Sequence, residues 1–301
     1  MVENMLDLLS DTKIVNYLSP PVRSQLGSHL VILPTVDSTN DFLWRHPTCK
    51  VCLAEHQTAG RGRQGRRWIS PYRSGLYLSI RCTYTMDLGA VNVGGLSVAL
   101  TVSIVKLLRN WGVDCQIKWC NDIICQDRKL AGLLLETRLA VNSSCVSGEK
   151  IVSPPSLATN WAGVQSSAVS NSRVLEVVMG LGINVQLPTE CLNEGWTDLR
   201  QVLPTGFSRN KLAAAMIQVS WQCLTDYGYR GLTGECLKEW QALDRLYQQP
   251  VWLKLADNKW VYGTALGIDQ QGALQIQEGN LINRYVHGEV TVRRNSGDLH
   301  W

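Results

Sequence analysis

The nine residues Gly60-Arg61-Gly62-Arg63-Gln64-Gly65-Arg66-Arg67-Trp68 limit the fold more than any other stretch of the chain. Gly60, Gly62 and Gly65 fit the dinucleotide fingerprint G-x-G-x-x-G, and they follow the apolar run Val51 to Ala54, which reads as a strand. In a dinucleotide-binding βαβ unit the last glycine must open a helix whose N-terminus faces the pyrophosphate. Here Pro71 and Gly75 come too soon to leave room for that helix. Strands and helices elsewhere intermix without a regular βαβ repeat, so the expected class is α+β and not doubly wound α/β.

The rest of the chain supplies the elements. Leu6, Leu9, Ile14 and Leu18 mark a short amphipathic helix, stopped by Pro20-Pro21. His29 to Leu33 reads as a strand, and Asp37-Ser38-Thr39-Asn40 offers N-cap oxygens for a short helix to Arg45. Leu76 to Arg81 alternates as a half-buried strand does. Val93 to Asn110 is the strongest helix, with Gly112 beyond its end. Short β elements follow at Gln116–Trp119, Asp122–Cys125, Leu130–Thr137 and Val174–Met179, the last ending in Gly180-Leu181-Gly182. Between them, residues 141–172 are rich in Ser, Asn and Pro and read as a flexible insertion. Helices are expected at Asn210–Tyr229 and Leu232–Leu246. After Pro250 the texture changes to short strands with Gly turns, which suggests a small all-β barrel.

Several function classes drop out on composition. A formal charge of +4 is too small to argue nucleic-acid binding by itself. No apolar run approaches the roughly 20 residues of a membrane span, and the acidic N-terminus is not a secretory signal. The ten cysteines therefore read as reduced thiols of a cytoplasmic protein. Cys49 and Cys52 form a lone C-x-x-C without the second pair that a zinc site needs.

Three readings of the Gly/Arg segment stay open at this level. It is a solvated basic loop, or an RNA-tracking segment with Trp68 stacking a base. Alternatively it is a lid whose guanidiniums repel one another until a phosphate orders them, shielding a reactive intermediate from water. Two lysines on neighbouring β elements, Lys118 and Lys129, are placed to point into one pocket, and the glycines at 180 and 182 mark a close approach.

Five stretches carry a resemblance. DSTN (37–40), EHQTAGRGRQGRRWISP (55–71), KWCNDI (118–123), RKLAGLLLE (128–136) and GLGINV (180–185) occur in the order found in biotin protein ligases. The chain resembles that family, also called biotin–[acetyl-CoA carboxylase] ligases, over about residues 30–295. The resemblance implies a catalytic domain over 31–248 related to the class II aminoacyl-tRNA synthetases, with a mixed sheet and flanking helices. It also implies an SH3-like C-terminal domain over 249–301, after a helical extension at 1–30. The implied reaction joins biotin and ATP as biotinyl-5′-AMP and then passes biotin to a lysine of a biotin carboxyl carrier protein. Mg2+ accompanies the ATP, without dedicated protein ligands, and a homodimer is admitted. Some members carry an N-terminal DNA-binding domain. The thirty residues before Val31 are too few for one, so no operator binding is expected.

By the same resemblance, Arg63, Lys118 and Lys129 are the catalytic cations, with Arg63 and Lys129 holding the biotin carboxylate against the α-phosphate. Ser38, Thr39, Gln57, Gly60, Arg61, Lys129 and Gly132 are implied at biotin. Arg63, Arg66, Trp68, Lys118, Asn121, Asn184 and Trp196 are implied at ATP. Asp122 is a carboxylate near the pocket with either a supporting or a structural role. The family's usual proline is replaced by Cys120, which is expected to loosen the turn and to make adenylation sensitive to thiol reagents. The rival readings are a lipoate–protein ligase with a more apolar pocket and a salt-sensitive RNA-binding module.

Overall fold

Local sequence explains most of the elements in the computed structural model, which describes residues 6–85, 91–141, 173–192, 195–203, 207–255, 257–286 and 290–293. The insertion expected at 141–172 lies, after Val141, outside the described residues. Helix α1 (Asp11–Tyr17) is capped by the Ser10 side chain. Pro20-Pro21 do not merely stop it. They occupy the first positions of a second helix, α2 (Pro20–Leu26), where a missing N–H costs nothing and the fixed φ is already helical. Strand β1 (Leu30–Leu33) leads to α3 (Thr39–Arg45) and β2 (Val51–Ala54).

Strand β3 (Gly75–Thr85) follows the Gly/Arg segment and is buried along nearly its whole length, not on one face as its alternation suggests. The sheet is covered on both sides, so its polar residues are buried with partners: Ser79 with Thr39 and Asn40, Arg81 with Glu176 at 3.2 Å. Helix α4 (Val93–Asn110) is apolar enough and long enough to cross a membrane by length and composition. Its Leu96, Val98, Leu100, Val102, Ile104 and Val105 are buried in the core instead. Strands β4 (Cys115–Lys118), β5 (Asp122–Cys125), β6 (Arg128–Val141) and β7 (Arg173–Asn184) complete the large sheet. Strand β7 continues through Gly180 and Gly182 where the sequence suggested an end, because both neighbouring strands pair with it there. Helices α5 (Leu199–Val202), α6 (Arg209–Arg230) and α7 (Gly234–Leu243) follow.

The seven strands run in the order β1-β2-β3-β7-β6-β5-β4, with β1 parallel to β2 and every other pair antiparallel, so the sheet is mixed. One face, with Met179, Leu181 and Ile183 of β7, joins α1, α2, α4, α6 and α7 in a single large core. The other face is covered by α3, whose Leu43 packs with Cys52 and Val178. Arg209, fully buried, donates to Glu55 at 2.6 Å and to the carbonyls of Asp7 and Gly75. This ion pair anchors the N-terminal segment to α6 and to the sheet.

The C-terminal part is a second antiparallel sheet in the order β11-β10-β9-β8-β12. Its strands are β8 (Pro250–Leu255), β9 (Trp260–Ile268), β10 (Leu274–Glu278), β11 (Leu281–Tyr285) and β12 (Val290–Arg293). Strand β11 was not legible in the sequence, because its Leu281 and Ile282 are exposed and do not alternate. A two-residue turn with Gly279 at positive φ makes the β10–β11 hairpin. The two sheets meet where Trp119 Nε1 donates to the Gly272 carbonyl at 3.1 Å and Asn92 Nδ2 to the Gln271 carbonyl at 3.0 Å.

Asp244 lies at this junction, buried and accepting the Leu246 N–H at 2.9 Å. Burial pushes its carboxyl up to about 6 from 3.8. The folded chain therefore binds this proton more tightly than the unfolded chain, and stability from this group falls as pH rises through about 6. Asp244→Asn, isosteric and neutral, should abolish that fall and raise stability at pH 7 by about 3 kcal/mol. Urea unfolding at pH 5 and pH 7.5 checks it; parallel pH profiles for both proteins would contradict it.

Candidate active site

Cross-strand register builds the floor of the site. Lys118 pairs with Asp122, Asp122 with Gly132, Gly132 with Gly182, and Gly182 with Tyr77. Opposed residues point to one face of a sheet, so a cation, a carboxylate and two glycines share a row on the face that α3 covers. The next row on that face is Leu134, Gly180 and Ser79, and the third is Glu136, Val178 and Arg81.

The two glycines of the first row leave a trough, and the Trp68 indole lies in it. A Cβ at Gly182 would stand 2.4 Å from Trp68 Cε2, and one at Gly132 3.4 Å from Cζ3. Asn40 fills the corresponding gap at Gly180, with Oδ1 2.5 Å from where a Cβ would be. The close approach expected at the β7 glycines is thus made by two side chains. A β-bulge brings in Lys129. The β5–β6 register shifts between Ile123 and Ile124, so that Lys129 pairs with Ile124 and faces the same side as Gly132. Its ammonium lies 2.7 Å from Asp122 Oδ1 and 5.4 Å from the centre of the Trp68 ring.

The Gly/Arg segment folds over this floor as a tight flap. Gly62 N donates to the Arg66 carbonyl at 2.7 Å and Trp68 N to the Gly60 carbonyl at 2.9 Å. Arg63 turns inward, donating to Asn121 Oδ1 at 3.2 Å and contacting Cys120 Sγ. Arg61 pairs with Asp41 at 2.7 Å and with Glu136 at 2.8 Å. Arg61 and Arg63 line a cavity and are engaged by Asp41, Glu136 and Asn121, whereas Arg66 and Arg67 are exposed. That cavity has a volume of about 210 Å³.

At one end of the cavity is a connected set of buried polar groups. Thr39 N donates to Gln57 Oε1 at 2.9 Å, and Gln57 Nε2 to Ser70 Oγ at 2.9 Å. The Ser79 hydroxyl bonds Thr39 Oγ1 at 2.7 Å and Asn40 Oδ1 at 2.6 Å. Ser38 makes no side-chain cap to α3; its side chain is buried at the cavity wall. At the other end Trp196 stands tilted against Trp68, with ring centres 5.2 Å apart, on a segment paired to Lys129.

Of the residues singled out from the sequence, Ser38, Thr39, Gln57, Arg61, Arg63, Arg66, Trp68, Lys118, Asn121, Lys129, Gly132 and Trp196 line this cavity. Two do not. Gly60 is at the root of the flap, where a Cβ would meet the Trp68 carbonyl at 2.5 Å. Asn184 is buried behind the wall, donating to the Thr197 carbonyl at 3.0 Å and, more weakly, to that of Lys129. It fastens the Trp196 segment to β6 instead of facing the pocket. Asp122, Asn40 and Leu134 also line the cavity: register puts Asp122 and Leu134 on one sheet face, and α3 brings Asn40 over it.

Cys120 is also corrected. It is 1% exposed, part of the main core, and burial pushes its thiol up to about 12 despite the nearby Arg63 guanidinium. Its turn is tied down by Leu133 N donating to the Asn121 carbonyl at 3.1 Å. Thiolate is the reactive form, so iodoacetamide at neutral pH should leave Cys120 of the folded protein unlabelled and its activity intact. Peptide mass mapping of native and denatured samples checks this; labelling of the native protein would contradict it.

Comparison with known proteins places the whole chain. Residues 32–148 match the Biotin/lipoate A/B protein ligase family, and residues 249–298 match the Biotin protein ligase C terminal domain. A solved biotin protein ligase from Aquifex aeolicus, in complex with biotin and ATP, superposes with a TM-score of 0.67 at 21% identity. The match covers 89% of this chain and 99% of that one, and shares the expected fold. A biotin–[acetyl-CoA-carboxylase] ligase of Mycobacterium tuberculosis is 27% identical over 76% of this chain and 73% of its own length. The bifunctional ligase/repressor BirA of Escherichia coli is 32% identical over 89% of this chain and 75% of its own length. Sequence identity sustained through both domains, on a fold with the same parts, makes the chain a member of the biotin protein ligase family.

Proposed function

We propose that the chain activates biotin with ATP to biotinyl-5′-AMP and transfers the biotinyl group to a lysine of a biotin carboxyl carrier domain. A carboxylate oxygen of biotin attacks the α-phosphorus and the bond to pyrophosphate breaks. The amine of the acceptor lysine then attacks the acyl carbon, an amide forms, and AMP leaves. Both reactants of the first step are anions, so the chemistry needs positive charge and alignment more than proton transfer.

The observation that carries the reading is one cavity with two unlike ends. Thr39, Gln57 and Ser38 offer donors and acceptors suited to a buried urea, which needs both. A site that pairs each polar atom of its ligand rejects a ring that lacks them, lipoate's included. Arg63 and Lys129 take the biotin carboxylate and the α-phosphate, Lys118 and Arg66 the remaining phosphates, with Trp196 and Asn121 on the nucleotide side. Trp68 Nε1 is buried over Gly182 and has no hydrogen-bond partner among the described residues. Magnesium enters as MgATP, held by phosphates and water. Asp122, engaged by Lys129, is the one carboxylate among the described residues lining the cavity. The ligands and activities carried in the names of the relatives support the same assignment.

Mass spectrometry of a purified carrier domain tests the proposal. Incubation with this protein and MgATP should add one biotinyl group when biotin is present and nothing when lipoate replaces it. An unmodified carrier with biotin, or a lipoylated one, would overturn it.

A further inference from the structure

Glu136 closes the motif RKLAGLLLE and has no part in the chemistry above. It stands on β6 in the third row of the site face, two residues beyond Leu134. One of its oxygens, Oε2, accepts two bonds, from Asn40 Nδ2 at 2.8 Å and from Arg61 Nη2 at 2.8 Å. Arg61 belongs to the flap. Asn40 belongs to α3, fills the gap over Gly180, and accepts from Ser79, which bonds Thr39. A single carboxylate oxygen therefore ties the root of the flap to the polar end of the cavity.

We infer that Glu136 is a positioning residue that couples the seating of the biotin ring to closure of the flap, an inference that rests on the proposed biotin–ATP reaction. When Asn40 and Thr39 are held by a bound ring, the Oε2 acceptor is fixed in place and Arg61 is drawn down. Without the Glu136 carboxylate, Arg61 keeps only Asp41, at the more exposed edge. The root of the flap is then held by one carboxylate instead of two. Charge-assisted bonds of this kind are individually worth enough to change a rate about tenfold.

Two substitutions separate the two bonds. Glu136→Leu removes both, and should raise acceptor-independent release of AMP about tenfold while also raising the KM for biotin about tenfold. Glu136→Gln keeps an amide oxygen for Asn40 but removes the charge that draws Arg61. It should raise AMP release severalfold with the biotin KM unchanged. The measurements are a pyrophosphate burst in the absence of carrier, the lifetime of bound adenylate, and the biotin KM, each with the melting temperature as a control. A merely structural Glu136 would lower the melting temperature and the burst together without this split, which would overturn the inference. So would adenylate lifetimes equal to wild type in both variants. A wild-type protein that gives no burst removes the underlying reaction itself, which distinguishes that failure from the failure of Glu136.

Discussion

Lys129→Ala lowers biotin-dependent pyrophosphate release by about 10²–10³-fold, as loss of one preorganised charge-stabilising group does elsewhere. The substitution does more than delete a cation. Lys129 lies 2.7 Å from Asp122, and removing it takes the ion-pair partner from that carboxylate at the wall where two anions must enter. A charge pair at about 4 Å is worth on the order of 4 kcal/mol at an effective dielectric near 20, and the sign now works against binding. Adding Asp122→Asn to the Lys129→Ala protein should therefore recover about tenfold of the lost rate, although Asp122→Asn alone lowers activity by freeing the lysine. Rapid-quench measurement of pyrophosphate in the four proteins checks the cycle. A double variant no faster than Lys129→Ala would show that Asp122 acts only in packing.

Gly182→Ala has an effect of similar size by a different route. Its methyl group would lie 2.4 Å from Trp68 Cε2 and 2.6 Å from Nε1. The obstacle is a rigid ring pinned between Gly132 and Trp196, so the indole must leave the trough. The strand pairing on both sides of Gly182 does not depend on its side chain, so the sheet persists. The expected result is a folded protein with a red-shifted, solvent-quenched Trp68 and a loss of about 10² in adenylation. Difference spectra against matched Trp68→Phe proteins isolate this indole from the other ten tryptophans. Unchanged emission together with unchanged rate would mean that Trp68 does not cover the site.

Most of the cavity residues that were legible in the sequence are polar or charged residues inside a short recognisable motif. Arg63, Lys118, Lys129 and the Ser38-Thr39 pair are of that kind, and the cavity gathers all of them. What the sequence hid was set by pairing between distant strands. The face shared by Asp122, Gly132 and Gly182 depends on the register of β5, β6 and β7, and on a bulge that re-aims Lys129. Asn184 was misplaced for the same reason: its side chain was read as a ligand group, whereas its strand carries it behind the Trp196 segment. Strand β3 was read as half-buried because its polar residues alternate, yet both of its faces are covered and those residues bond within the interior. Pro20-Pro21 were read as a stop because proline ends helices; at the first positions of a helix the same chemistry starts one.

The central claim is that the flap over residues 60–68 seals an acyl-adenylate against water until an amine takes it. The most direct measurement mixes the protein with biotin and α-labelled MgATP in the absence of any acceptor, then separates bound from free label. The account predicts one labelled adenylate retained per active site, released as AMP promptly when a carrier domain is added. Label that appears as free AMP as fast as ATP is consumed, or no retained adenylate at all, would contradict it.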